Sequence, residues 1–215
     1  MSNDGHGGDV PGTHRRLPHA CAACAIVPPA VLRSIALRGS RAQREAALAT
    51  MATDATVRLS RATRQLLDGP AAHATLAAAP VAKQRTIYDA AHRAALPGRV
   101  VRSEGGAATR DAESDEAYDG LGKTFDFYWE VYRRNSIDDA GMRLDASVHY
   151  GRKYDNAFWN GQQMVFGDGD GDLFNRFTAS LDVIAHELTH GVTGDEVNLV
   201  YVDESGALDR KSVVP

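Results

Sequence analysis

The sequence predicts an α+β fold in two zones, and three observations predict it. Composition changes near Arg85: residues 28–84 are rich in Ala and Arg and poor in aromatics, whereas aromatics, Gly-Asp turns and alternating apolar positions arrive together after it. Tyr118, Leu121, Phe125, Tyr128 and Tyr132 recur at intervals of three or four, the period of one helix face. Leu144, Ala146, Val148 and Tyr150 alternate, the period of a strand.

Taken in order, residues 1–27 form an aperiodic, Gly-, His- and Arg-containing arm expected to be disordered. Pro28-Pro29 opens the helical zone, since proline suits a first helical turn. Val31, Leu32, Ile35 and Leu37 give an amphipathic turn or two, and Gly39-Ser40 interrupts it. Ala47, Met51, Val57 and Leu66, set among arginines, extend the zone to two or three helices in all. Gly69-Pro70 and the Ala-rich stretch to Pro80 read as a linker. A helix is expected over 114–134, with Asp115 and Glu116 near its start and Arg133 and Arg134 at its end, as the helix dipole favours. Strands follow at 143–150 and 164–166, the second closed by the Gly-Asp run 167–171. The last element is a helix over 178–193 with Leu181, Ile184, Leu188 and Val192 on one stripe.

The 215 residues suffice for one sizeable domain or one domain plus an appendage. With 43% hydrophobic and 24% charged residues the composition is that of an ordinary globular chain. A net charge of −4 gives no basic footprint for nucleic acid. No apolar run approaches the roughly 18 residues of a membrane span, and the polar, Gly-rich start carries no visible secretory signal. The two cysteines, Cys21 and Cys24, make no disulfide framework, and one CxxC pair alone supports a metal or redox reading only weakly.

The chemistry concentrates in His186-Glu187-Leu188-Thr189-His190, an HExxH pattern. On a helix, positions four apart share a face, so the two imidazoles can reach one metal ion. Zinc suits neutral imidazole nitrogen, and a catalytic zinc takes three protein ligands and leaves a place for water. Glu187, next to the first ligand, is the candidate general base for that water. All three side chains lie off the apolar stripe, where a cleft could form. The bland alternative is a helix with a histidine pair and no metal. Asp182, one turn before His186, either binds another ion or is a plain exposed carboxylate.

From Arg85 onward the chain resembles the thermolysin-family zinc metallopeptidases. The resemblance runs through Arg85-Thr86-Ile87-Tyr88-Asp89-Ala90, Glu116-Ala117-Tyr118-Asp119, Arg134-Asn135-Ser136-Ile137-Asp138 and Val148-His149-Tyr150-Gly151. It continues through Asn156-Ala157-Phe158-Trp159 and Gln163-Met164-Val165-Phe166-Gly167-Asp168-Gly169-Asp170-Gly171 to the His-Glu helix. Upstream, Pro28-Pro29-Ala30-Val31-Leu32 is similar to the Pro-Pro-x-x-Leu motif in the short propeptide of protealysin-like members.

The resemblance implies the N-terminal domain of a thermolysin-like fold over 85–208, preceded by a small helical propeptide and linker over 28–84. It implies a zymogen of a zinc endopeptidase, with a zinc-activated water and Glu187 as base, and with residues 28–84 as intramolecular inhibitor. Peptide or protein substrates would pair with an edge strand holding Asn156, Ala157, Phe158 and Trp159. Phe158 and Trp159 could equally be core residues. Tyr201 matches a tyrosine that steadies the developing oxyanion, and could equally be a plain strand aromatic. Asp182 falls on a calcium ligand, which makes calcium a possible second ion; the 167–171 run could be a calcium loop or a tight Gly-Asp turn. The family implies secretion, with a cytoplasmic location as the alternative.

The resemblance stops after Leu208. The family's third zinc ligand is a glutamate at the position where Arg210 stands, and a cation cannot ligate zinc. Residues 209–215 read as an aberrant tail, and the family's helical second domain, with its transition-state histidine, is missing. Taken literally, these residues supply two of three ligands and are expected to hold zinc weakly. The alternative function is an inactive fragment that binds peptide or metal weakly.

Overall fold

A computed structural model describes residues 25–68 and 80–197, and the described residues form the expected α+β architecture. Helices α1 (Pro29–Arg38) and α2 (Arg41–Asp68) are followed by strands β1 (Arg85–Asp89) and β2 (Arg99–Ser103). Helix α3 (Ala112–Tyr132), strands β3 (Leu144–Val148), β4 (Ala157–Trp159) and β5 (Met164–Phe166), a 3-10 turn (Phe177–Ala179) and helix α4 (Leu181–Val197) complete it. Cys21, Cys24, Tyr201 and the tail from Asp209 lie outside the described residues. No described helix is long and apolar enough to cross a membrane.

The five strands form one mixed sheet in the order β2-β1-β3-β5-β4. β1, β3 and β5 run parallel side by side, while β2 and β4 are antiparallel additions at the two edges. Both faces are covered, so β5 is buried at all three positions. Met164 and Phe166 join the main core with Ile87, Ala146, Trp159, Leu121, Phe125, Ile184 and Leu188. Val165 and Phe158 point the other way, into a smaller cluster with Tyr150 and Tyr154 that Val57 of α2 covers.

Helix α3 starts two residues before the expected boundary because Asp111 caps it, accepting a 2.9 Å bond from the Ser114 amide. It packs against α4 at Gly120. A Cβ there would stand 2.3 Å from Ile184 Cδ1, so only glycine permits this approach. The α4 helix starts three residues later than its apolar period suggests, because residues 177–179 form the 3-10 turn. Its entry is held by Glu116 of α3, which accepts bonds from Arg176 Nη2 (2.7 Å) and Thr178 Oγ1 (2.9 Å). Its far end is held by Arg134, which reaches Asp195 at 3.1 Å and also pairs with Glu196. The helix bearing HExxH is therefore clamped at both ends and rolled into place by Tyr128, whose hydroxyl bonds Thr189 Oγ1 at 2.8 Å.

Candidate metal centre and substrate edge

On α4 the imidazoles of His186 and His190 converge. Their Nε2 atoms are 2.9 Å apart and their rings meet edge to face at 89°. Two nitrogens bound to one tetrahedral zinc at about 2.0–2.1 Å would be about 3.3 Å apart, so the pair fits that ion with a small opening of the rings. Glu187 and His190 are 0% exposed and His186 is half-buried. The open cleft expected beside the apolar stripe is therefore closed over two of the three chemical residues. Ile26, from the arm expected to be disordered, lines the same 790 Å³ cavity as His186.

That arm has a definite place. The Ile26 amide donates to Ala157 O at 3.3 Å, next to the edge strand's outermost register. The Val27 amide donates to Asn156 Oδ1 at 2.8 Å, and Asn156 Nδ2 donates back to Val27 O at 3.3 Å. Asn156 is wholly buried, and its amide is turned by Asp54 of α2, which accepts from Nδ2 at 3.0 Å. Asp54 also accepts from the Tyr154 hydroxyl at 2.6 Å, and Thr50, one turn earlier, accepts from the Asp155 amide at 3.0 Å. Burial pushes the Asp54 carboxyl above its ordinary range despite these donors. Asp155, buried and facing the Asp170 charge, is pushed up to about 7. Burial, followed by the nearby Asp54 carboxylate, holds the Tyr154 hydroxyl well above its ordinary value.

Of the residues singled out in sequence, His186, Glu187 and His190 come together on α4, and Asn156 and Ala157 contact residues 26–27. Phe158 and Trp159 are on the edge strand but their side chains fill the two cores, at 1% and 5% exposure, so this strand offers its backbone and the Asn156 amide. Asp182 is exposed in the first turn of α4, and among the described residues it belongs to no set of three ligand atoms within metal reach. Within 167–171, Asp170 Oδ1 accepts the amides of Asp172, Leu173 and Phe174, the bonding of a tight Asp turn. Sequence reasoning missed Asp54 and Thr50. Their signal, polar positions one turn apart in an Arg-rich helix, is indistinguishable from a solvated face until the sheet edge is in place.

The sequence matches the family described as thermolysin metallopeptidase, catalytic domain, over residues 40–194. It is 47% identical over 187 residues to an extracellular metalloprotease of Pectobacterium carotovorum subsp. carotovorum, covering 87% of this chain and 52% of that protein. It is 50% identical over 125 residues to a bacillolysin of Bacillus cereus, covering 57% of this chain and 22% of that protein. Among solved structures it is similar to the precursor of protealysin, a metalloproteinase from Serratia proteamaculans. The TM-score is 0.73 at 45% identity, covering 88% of this chain and 52% of that one. The chain thus spans about half the length of the Pectobacterium and Serratia relatives. With the converging histidines on α4, the mixed sheet behind them and a family match over most of its length, the chain belongs to the thermolysin metallopeptidases.

Proposed function

We propose that this chain is the propeptide and N-terminal catalytic half of a zinc-dependent endopeptidase, made as a zymogen. The observation that carries the reading is the meeting of His186 and His190 Nε2 beside buried Glu187, with His186 lining a cavity that Ile26 also lines. His186 and His190 would hold the zinc, and the third ligand would be the family's glutamate, at the position where this chain has Arg210. Zinc, when bound, supplies Lewis acidity at the scissile carbonyl and the attacking water. Glu187 takes the water's proton and hands it to the departing amine, a role suited to a carboxylate that burial keeps from bulk water. A substrate backbone takes the positions of Ile26 and Val27: its amides donate to Ala157 O and Asn156 Oδ1, and its carbonyl accepts from Asn156 Nδ2. Tyr201 would steady the oxyanion, and Asp182 would contribute to a calcium site whose other ligands lie later in the family than residue 215.

In the same reading residues 28–84 are an intramolecular inhibitor, joined by residues 26–27 ahead of them. Residues 26–27 lie on the backbone edge a substrate needs, and α2 fixes the Asn156 amide through Asp54. The similarity to a protealysin precursor supports this, since it covers 88% of the chain and so includes most of the N-terminal zone. The similarity to an extracellular metalloprotease supports secretion.

Zinc titration tests the proposal. Equilibrium dialysis of the 215-residue chain is compared with a version continued past Leu208 with the family's glutamate at 210 and the helical domain behind it. The continued version is expected to bind one zinc and cleave peptides. The shorter chain is expected to bind more weakly, by more than the roughly 10–100-fold that even an outer partner of a metal ligand commands. A continued version that binds zinc no better, and cleaves nothing, leaves the chain as a peptide-binding module.

A further inference from the structure

A second group of metal-ligating side chains lies apart from α4, at the carboxyl ends of the three parallel strands. β1, β3 and β5 are neighbours, and their register sets Asp89 opposite Val148 and Ser147 opposite Val165. His92 follows β1 by three residues, His149 follows β3 by one and Asp168 follows β5 by two. The loops stay zipped beyond the sheet. The His92 amide donates to His149 O at 2.8 Å, Gly151 N to Arg93 O at 3.2 Å, and Tyr150 N to Phe166 O at 3.1 Å. The carboxyl ends of parallel strands are where open α/β sheets gather their ligands, because successive loops converge there.

The side chains meet. His149 Nδ1 stands 3.0 Å from Asp168 Oδ1, and His92 Nδ1 stands 3.2 Å from Asp168 Oδ2. One ligand atom from each of the three residues lies within 4.8 Å of the others. Ligand atoms around one tetrahedral ion at about 2.0–2.2 Å are about 3.3 Å apart, so the two nitrogen–oxygen distances are close to an ion's edges, each through a different oxygen of Asp168. The far nitrogen of His149 faces Asp111, with Nε2 3.3 Å from both carboxylate oxygens. A carboxylate behind the second nitrogen of an imidazole is the usual outer partner of a metal-bound histidine, because it fixes the tautomer and raises ligand basicity. Both histidines also sit at positive φ, 57° for His92 and 52° for His149, a conformation that costs energy, and their rings stand 5.3 Å apart, edge to face.

We propose that His92, His149 and Asp168 form a binding site for a divalent first-row transition ion, with Asp111 as the outer partner of His149. Two imidazoles and one carboxylate select zinc, cobalt, nickel or copper over calcium and magnesium, which prefer all-oxygen shells. The site is independent of the HExxH pair and of any catalytic reading of it. His92 is the exposed member, with its side chain 51% accessible, while His149 and Asp168 are 17% and 26% accessible, so the ion enters from solvent on the His92 side. The competing occupant is a proton: the hydrogen bond to Asp168 pushes the His149 pKa up to about 9, and an ion that binds at Nδ1 displaces that proton.

Cobalt and zinc titrations of the full chain test this, read by bound-metal analysis and by the visible absorption of bound cobalt. His92→Ala removes an exposed ligand without touching a core, so its difference from the parent isolates this site from Cys21, Cys24 and the His186–His190 pair. The expected result is one fewer equivalent of cobalt in His92→Ala and in Asp168→Asn. Asp111→Asn, which keeps a helix-capping side chain, is expected to weaken that equivalent by roughly 10–100-fold. Equal stoichiometry and affinity in the parent and in His92→Ala would overturn the proposal, and would leave His149 as an imidazolium held between two carboxylates.

Discussion

Tyr118 on α3 carries a guanidinium on its ring and a carboxylate at its hydroxyl. Arg85 lies 3.7 Å from the ring centroid, donates to Glu104 through Nε at 2.7 Å and through Nη2 at 2.5 Å, and donates to Tyr118 O at 3.0 Å. The hydrogen bonds from Arg85 hold the Glu104 carboxyl down at about 2, against an ordinary value of 4.5. A carboxyl depressed in the folded state stabilises the fold fully above its unfolded value and loses that contribution as pH falls through its folded one. Stability is therefore expected to fall between about pH 4.5 and pH 2 in part through Glu104. Glu104→Gln should flatten that portion of the acid-unfolding curve while lowering stability at neutral pH. An unchanged acid limb in the variant would remove Glu104 from the account. At the same scale, the HExxH residues were legible because their chemistry is written in four-residue spacing. Asn156 was legible by resemblance alone, and its partners Asp54 and Val27 were not, because their sequence separations of 102 and 129 residues leave no local trace.

At the scale of elements, the contact of α3 with α4 decides where the histidines stand. Replacing Gly120 by alanine gains about 1 kcal/mol of helix propensity. It also drives a methyl to 2.3 Å from Ile184 Cδ1 and 3.1 Å from Cγ2, on a side chain that is 1% exposed. Because Ile184 is β-branched and boxed in, the clash outweighs the propensity, and a net loss of about 1–3 kcal/mol is expected in urea unfolding. A more stable Gly120→Ala would mean that the helices can separate freely. The docking of α2 has its own signature. Asp54 carries a raised pKa at this contact, through burial, so the docked form binds a proton that the undocked form releases. Docking is then tightest in acid and weakens as pH rises from 3.8 through the raised value of Asp54. Hydrogen exchange of α2 amides, corrected for intrinsic rates, should report more opening at pH 8 than at pH 5, and Asp54→Asn should shrink the difference. Exchange independent of pH would contradict a docked carboxylate. α3 and β3 were found in sequence to within a few residues because each has a clean period. β1 and β2 carried no such period: β2 is exposed at three of five positions and bulged against β1, so apolar alternation never builds up.

In the whole molecule, two zones that differ in composition are joined. Leu32 and Ala47 of the N-terminal helices join the main core, Val57 packs on the smaller one, and residues 26–27 reach the edge strand beside the histidine helix. The linker expected around residues 69–80 falls largely outside the described residues, so the two zones are tied here by Asn156, Tyr154 and Asp155. The α+β class and the long helices were readable because period and composition are local properties. The presence of Ile26 in the cavity that His186 lines was not, because the two stand 160 residues apart in sequence. The central claim is that the buried carboxylate beside the paired imidazoles moves the proton in peptide hydrolysis. It is tested most directly by Glu187→Gln in the version continued past Leu208, with zinc content and peptide cleavage measured on the same sample. Glutamine keeps the shape and cannot accept a proton, so zinc should stay bound at one per chain while cleavage falls by roughly 10²–10⁴-fold. Full zinc with undiminished cleavage would contradict the account.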